Sequence, residues 1–205
     1  ELLAPAGDLE KLKIAVAYGA DAVYIGGKRF GLRAFAGNFE NNEIVEAVEY
    51  AHKHGRRVYV TLNIFAHNDD FDGMAEYIRF ISKAGVDAVI VSDPGILLLV
   101  KDTDPEMEIH LSTQANTTNW KSALFWHEMG VKRIILAREL SLDEIMEIRD
   151  RTPDTLELEV FVHGAMCISY SGRCMLSNYL AGRDPNRGAC AHPCRWKYYL
   201  VEEKR

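Results

Sequence analysis

The 205-residue chain is 48% hydrophobic and 26% charged, ordinary proportions for a globular protein with one substantial core. Its net charge of −6 excludes a surface that binds nucleic acid everywhere, but leaves room for a local basic patch. No run approaches the roughly 20 apolar residues of a membrane span, and the opening ELLAPAGDLE lacks the basic and apolar regions of a signal peptide; a cytoplasmic protein without membrane contact is expected.

Along the chain, short β-branched runs alternate with helical amphipathic stretches. Strands are predicted near 2–4, 22–25, 57–62, 87–92, 107–112, 132–136 and 156–162, with helices near 8–18, 41–54, 70–84, 94–101, 117–129 and 141–150. Asp8, Asn41 or Asn42, Asp93 before Pro94, and Ser141 with Glu144 three residues on supply the helix starts. Three segments repeat one pattern: Gly19-Ala-Asp-Ala-Val-Tyr-Ile25, Gly85-Val-Asp-Ala-Val-Ile-Val91 and Gly130-Val-Lys-Arg-Ile-Ile-Leu136. Each ends a helix on Gly, where a left-handed cap costs little without a Cβ, and then enters a strand buried on both faces. His54-Gly-Arg-Arg-Val-Tyr-Val-Thr-Leu-Asn63 is a fourth version.

Strict alternation favours a TIM-like (β/α) barrel in the α/β class over an open doubly wound sheet, and no Gly-x-Gly-x-x-Gly follows the first strand. A full barrel takes about 250 residues, so this one is expected to be incomplete or atypical. The missing initiator Met, and an ending in Glu202-Glu203-Lys204-Arg205 directly after the strand-like KYYLVE, are read as cut edges of a longer protein. The expected division is a barrel-like domain over 1–163 and a Cys-rich segment over 164–205 that leads into a missing C-terminal region.

In parallel β/α folds, functional groups gather at the carboxyl ends of strands. Those positions hold Gly26-Gly27, Asn63, Ser92-Asp93, Ser112, Gln114, Asn116, Arg138-Glu139 and His163-Gly164. Asp93 is better explained as the cap of the helix at Pro94 than as a catalytic acid. Asn63, Gln114, Glu139 and His163 are the candidate catalytic groups, and with Arg138 they form a rim suited to a polar or anionic small molecule. From residue 173 to 197, Arg173, Arg183, Arg187, Arg195 and Lys197 face only Asp184, a local net charge of +4. Tyr170 just before this stretch, and Tyr179 and Trp196 within it, offer faces on which a splayed base can stack or ordinary packing surface. A solvated loop whose arginines pair with acids elsewhere explains the charge equally well.

The four cysteines, Cys167, Cys174, Cys190 and Cys194, all lie in the last 39 residues, spaced Cys-x6-Cys-x15-Cys-x3-Cys. Clustering after a well-filled domain favours a metal over structural disulfides. Thiolates select zinc or iron–sulfur; only the last pair has the tight spacing of a zinc knuckle, so a 4Fe–4S cluster is slightly preferred to zinc. His163 and His192 are alternative ligands or hydrogen-bonding neighbours. His127-Glu128 begins like a zincin helix, but position 131 is Val, and neither a Gly-x-Ser-x-Gly elbow nor a P-loop is present. His163 with Cys167 or Cys174 is a conceivable nucleophile pair.

The runs Glu159-Val-Phe-Val-His-Gly-Ala-Met-Cys167 and Ser171-Gly-Arg-Cys174-Met-Leu-Ser177 resemble the signature of the collagenase-like peptidase family U32, as do ELLAPAGD, GADAVYIGG and GRDPNRGACAHPCRW. The resemblance covers essentially the whole chain. It implies proteolysis for some members, and for others hydroxylation of tRNA wobble uridine to 5-hydroxyuridine, of a cytidine in large-subunit ribosomal RNA, or of the ubiquinone ring without oxygen. In the ubiquinone branch four cysteines hold a 4Fe–4S cluster, a role that falls here on Cys167, Cys174, Cys190 and Cys194. Arg183-Asp-Pro-Asn-Arg187-Gly-Ala-Cys190 and Cys194-Arg-Trp-Lys-Tyr198 look most like the tRNA branch, which draws on prephenate metabolism. The expectation is an iron–sulfur-dependent tRNA hydroxylase, with a collagenase-like peptidase as the alternative. Its partners would be tRNA, a small anionic metabolite and an unidentified electron donor, with homo- and hetero-oligomers both open.

Overall fold

The computed structural model describes residues 1–32, 37–164 and 166–202; Ala165 of the signature and residues 203–205 lie outside them. Seven parallel strands run in the order of the chain: β1 (Leu3–Pro5), β2 (Ala22–Ile25), β3 (Arg57–Leu62), β4 (Ala88–Val91), β5 (Glu108–Leu111), β6 (Arg133–Ile135) and β7 (Glu157–Glu159). Between them lie α1 (Leu9–Ala17), α2 (Asn41–Lys53), α3 (Met74–Lys83), α4 (Pro94–Thr103), α5 (Trp120–Glu128) and α6 (Leu142–Asp150), and α7 (Leu176–Ala181) follows in the Cys-rich segment. Each strand pairs with the next, from Leu3 opposite Ala22 to Ile135 opposite Glu159, and β1 and β7 are the sheet's two edges. The expected barrel-like alternation is present as a curled, incomplete barrel.

Two faces of the sheet carry different chemistry. Outward residues Val23, Ile25, Val58, Val60, Leu62, Val89, Val91, Ile109 and Leu111 meet Ile44, Val48, Ile78, Ile81, Ile96 and Val100 of the helices in one continuous core. Burying each such side chain stabilises by about 1.5–3 kcal/mol, so this layer dominates the fold. The concave face has a much smaller apolar cluster of Ala22, Tyr59, Ala88, Ile90 and Ile135.

Local chemistry explains the boundaries. Gly19, Gly85 and Gly130, which begin the repeated segments, have φ of +99°, +85° and +90°, as a left-handed helix stop requires. Asp8, Asp93 and Ser141 accept from backbone N–H groups at the starts of α1, α4 and α6. Four expectations change. The N-cap of α2 is Glu40, whose N–H donates to Glu43 Oε2 at 2.7 Å, and Asn41 is already helical. The helix expected from residue 70 starts at Met74, because Gly73 is left-handed and Asn68–Phe71 forms a separate tight turn. The helix expected from 117 starts at Trp120, after the cap Asn119. The last strand, expected to reach 162, stops at Glu159, where the paired residues of β6 end. No helix among the described residues is long and apolar enough to cross a membrane.

Candidate functional site at the carboxyl ends of the strands

Asn63 and Gln114 meet at the mouth of the barrel. Asn63 Nδ2 donates to Gln114 Oε1 at 3.4 Å and to Ser112 Oγ at 3.5 Å, and Asn63 Oδ1 accepts from Leu32 N–H. Ser112 Oγ also donates to Gln114 Oε1, and Ser92 Oγ donates to the Asn63 carbonyl. The result is a neutral cup of amides and hydroxyls over β3–β5. Asp93 accepts from Gly95 N–H at 2.8 Å and Ile96 N–H at 3.1 Å, so it is the cap of α4.

The Cys-rich segment docks on this rim through polar contacts. Glu139 accepts from both the N–H and the hydroxyl of the buried, left-handed Ser171, at 2.8 and 2.9 Å. Burial opposes ionisation of Glu139 most, but those two bonds, its own backbone N–H and the Arg138 charge together outweigh it and hold the carboxyl below its ordinary value. Arg173 Nε donates to the Gln114 carbonyl at 3.0 Å, and its guanidinium lies over Phe65. Arg187 grips Asp70 with two bonds of 2.6 and 2.8 Å and also donates to the Phe65 carbonyl. Hydrogen bonding from Arg187 pulls the Asp70 carboxyl down to about 2. Asn186 completes the clamp, exchanging two 2.9 Å bonds with the backbone of Cys174 while its carbonyl accepts from Phe65 N–H.

The structure thus divides the candidate residues. Asn63 and Gln114 share one cup, and Glu139 works as the anchor for Ser171. Arg173 and Arg187 are engaged with protein acceptors, and Arg183 donates to the Ala189 carbonyl at 2.9 Å. Arg138 has a buried Nε without a hydrogen-bond partner among the described residues. Arg195, Tyr170 and Trp196 are exposed. His163 is exposed and has no side-chain hydrogen bond among the described residues.

Two of the sulfurs accept backbone hydrogen bonds from two residues on: Cys174 Sγ from Leu176 N–H and Cys190 Sγ from His192 N–H, each at 3.3 Å. Cys167 Sγ lies 3.0 Å from Ser169 Oγ. Burial pushes its thiol up, but the Ser169 contacts and the nearby Arg138 together bring it below its ordinary value. All four cysteines are free thiols. Among the described residues, however, no three His, Cys, Asp or Glu side chains are arranged to hold a metal ion. The donor chemistry suits a soft metal; the arrangement is open.

Sequence reading missed a second polar constellation, inside the lower barrel. Arg133 Nη1 donates to Glu1, its Nε to Glu157 Oε2 at 2.7 Å, and Glu159 lies 3.5 Å away. Tyr59 OH donates to Glu1 Oε2 at 2.8 Å, Arg57 pairs with Glu108 at 3.1 Å, and Glu108 meets His110 Nε2 at 2.8 Å. Burial pushes Glu159 up, with Arg133 opposing, while hydrogen bonding from His110 takes Glu108 down to about 2. The available signal was polar side chains two residues apart within predicted strands: Arg57 and Tyr59, Glu108 and His110, Glu157 and Glu159.

An incomplete TIM-like barrel with a Cys-rich segment clamped across its mouth defines the class. The solved structure of a U32 peptidase shares that fold, with a TM-score of 0.71 and 19% identity over 94% of this chain and 76% of that one. The peptidase family U32 model matches residues 7–205, and the chain belongs to that family. It is 54% identical over 202 residues to tRNA hydroxylation protein P1 of Bacillus subtilis, covering 98% of this chain and 47% of that protein. It is 48% identical over 204 residues to tRNA hydroxylation protein P of Escherichia coli, covering 100% and 45%. The chain therefore spans about half the length of these relatives.

Proposed function

We propose that the chain is the barrel portion of an RNA hydroxylase that converts tRNA wobble uridine to 5-hydroxyuridine. The carrying observation is 54% identity, along nearly the whole chain, to a protein named for tRNA hydroxylation. The geometry supports this reading over proteolysis. A cysteine protease needs its thiol within hydrogen-bond reach of a base, yet Cys167 is partnered by Ser169 and His163 has no such partner among the described residues.

In this reading the exposed Arg195 meets RNA phosphates, Tyr170 and Trp196 offer stacking faces, and the unpartnered Nε–H of Arg138 receives an anionic group, whether phosphate or a small carboxylate such as prephenate. Cys167, Cys174, Cys190 and Cys194 hold a 4Fe–4S cluster, which when bound supplies one-electron redox chemistry. Ligation requires the open segment to close further, the usual coupling of metal binding to local folding. Deleting the gene should remove 5-hydroxyuridine and its derivatives from tRNA digests, and restoring it should return them; unchanged nucleosides refute the reading. Colourless anaerobic protein with one zinc and no sulfide would overturn the cluster assignment alone.

A further inference from the structure

Among the described residues the two edges of the sheet are unpaired, and they have already curled toward each other. Glu1, just before β1, reaches across the interior to Tyr59 on β3 and Arg133 on β6, and Arg133 in turn holds β7 through Glu157. In parallel pairing, alternate residues bond to alternate neighbours. On β7, Glu157 N–H and the Glu159 carbonyl face β6, so Leu158 between them turns its backbone groups away. On β1, Leu2 and Ala6 bond to the β2 side, which leaves Leu3 and Pro5 facing the open edge.

The outer layer shows the same gap. Helices α2 and α3 expose no large apolar side chain and α1, α4 and α5 expose one each (Ile14, Leu98 and Phe125), whereas α6 exposes two, Leu142 (77%) and Met146 (62%), one turn apart. The chain leaving β7 adds Phe161 and Val162, also exposed. An apolar stripe on a flanking helix, beside an unpaired parallel strand, is what remains when one helix and one strand are taken from a barrel.

We propose that one further helix–strand unit fills this gap, contributed by polypeptide outside residues 1–205. Its helix lies on the Leu142–Met146 flank of α6, and its strand runs between β7 and β1, parallel to both. The repeat within the chain specifies its form: a helix ending on a left-handed glycine, as at Gly19, Gly85 and Gly130, followed directly by a buried apolar strand. The occupant is assigned to the same polypeptide because the matched relatives are about twice as long as this chain. A second copy fits worse, since β1 and β7 have only three residues each and offer a docking copy one short ladder, whereas an inserted strand forms two.

Hydrogen exchange on the intact polypeptide tests this. The Leu158 and Leu3 amides should exchange as slowly as those of β4 at every protein concentration. Rapid exchange at both would overturn the proposal, and protection that appears only as concentration rises would assign the edges to a second copy instead. In the same intact protein, replacing Leu142 and Met146 together by Glu should lower the melting temperature by several degrees. Phe125→Glu on α5, where Phe125 is 53% exposed, should leave it nearly unchanged; equal effects would count against a covered flank.

Discussion

The barrel body and the Cys-rich segment are held by different forces. Through β7, order comes from apolar burial: Leu12, Ile44, Ile78, Ile96 and Leu111 are each 0% exposed. Among the described residues between His163 and Glu202 the buried side chains are Ser171, Ser177 and Pro193, while Met166, Ile168, Met175, Tyr179 and Leu200 face solvent. A region with so little buried apolar area cannot offset its chain entropy by itself. It depends on what it binds: Glu139, Gln114 and Asp70 on the rim, and by proposal a metal. A rigid scaffold thus carries a segment whose order is conditional, the usual division between a barrel and its functional loops.

The largest separation of the two regions should come from the cysteines. Under the proposed function, Cys190→Ala abolishes iron and sulfide binding and tRNA hydroxylation, while the unfolding free energy of the body changes by less than about 1 kcal/mol. Iron analysis, nucleoside digests and urea unfolding on the same protein read all three; full cluster content in the variant removes Cys190 as a ligand. The converse is Arg133→Met, aimed at the body. It strands Glu1, Glu157 and Glu159 around a site where Arg133 is 8% exposed, and breaking such a pair costs about 3–5 kcal/mol. The low end is expected because Glu157 is 41% exposed. A change under about 1 kcal/mol would mean that water already screens the network.

A smaller effect should loosen the segment and spare the scaffold. Arg187→Ala removes the grip on Asp70, and limited proteolysis should then cut between residues 163 and 202 several times faster. Global stability should move by no more than about 1 kcal/mol, as for a pair close to the surface. The pH dependence has a definite sign. Asp70 is depressed to about 2 in the folded state, so its contribution is complete above the ordinary aspartate value near 4 and fades as pH falls toward about 2. Proteolytic protection of the segment should therefore be flat from about pH 7 to 4 and fall below that; loss already at pH 5 would show that Asp70 is not the clamp.

The same contrast explains what could be read in the sequence. The strand–helix alternation was legible because each unit repeats one local device, glycine stop then apolar strand. The placement of Asn63, Gln114, Arg138 and Glu139 just beyond strand ends was legible because strand ends can be counted. The role of Glu139 was not, since its partner Ser171 lies 32 residues away and nothing local marks the pair. Pairing of Arg187 with some acid was one of two readings, but which acid was hidden for the same reason: Asp70 is 117 residues distant. The network around Arg133 was hidden for a different reason. Parallel strands buried on both faces read as apolar runs, and the few charged residues inside them looked like interruptions.

The smallest expected effect lies in that hidden network and runs opposite to the clamp. His110 is fully buried; its Nε2 meets Glu108, and its Nδ1 has no partner among the described residues. Burial lowers its affinity for a proton, and Arg133 and Arg57 nearby act in the same direction; the bond and charge of Glu108 oppose them without prevailing. A histidine depressed in the folded state binds its proton more readily when unfolded. Its stabilising contribution is therefore complete above about pH 6.5 and is lost as pH falls below that. The body should begin to weaken below about pH 6.5, while the Asp70–Arg187 clamp on the segment holds to about pH 4. Urea midpoints at pH 7.5 and 5.5 for the parent and for His110→Gln separate the two cases. The parent should lose stability between them, and the variant, which has nothing to titrate at that position, should lose less. Equal losses would place the acid-sensitive group elsewhere and leave His110 as a packing residue against Tyr59, whose ring centroid lies 4.6 Å away.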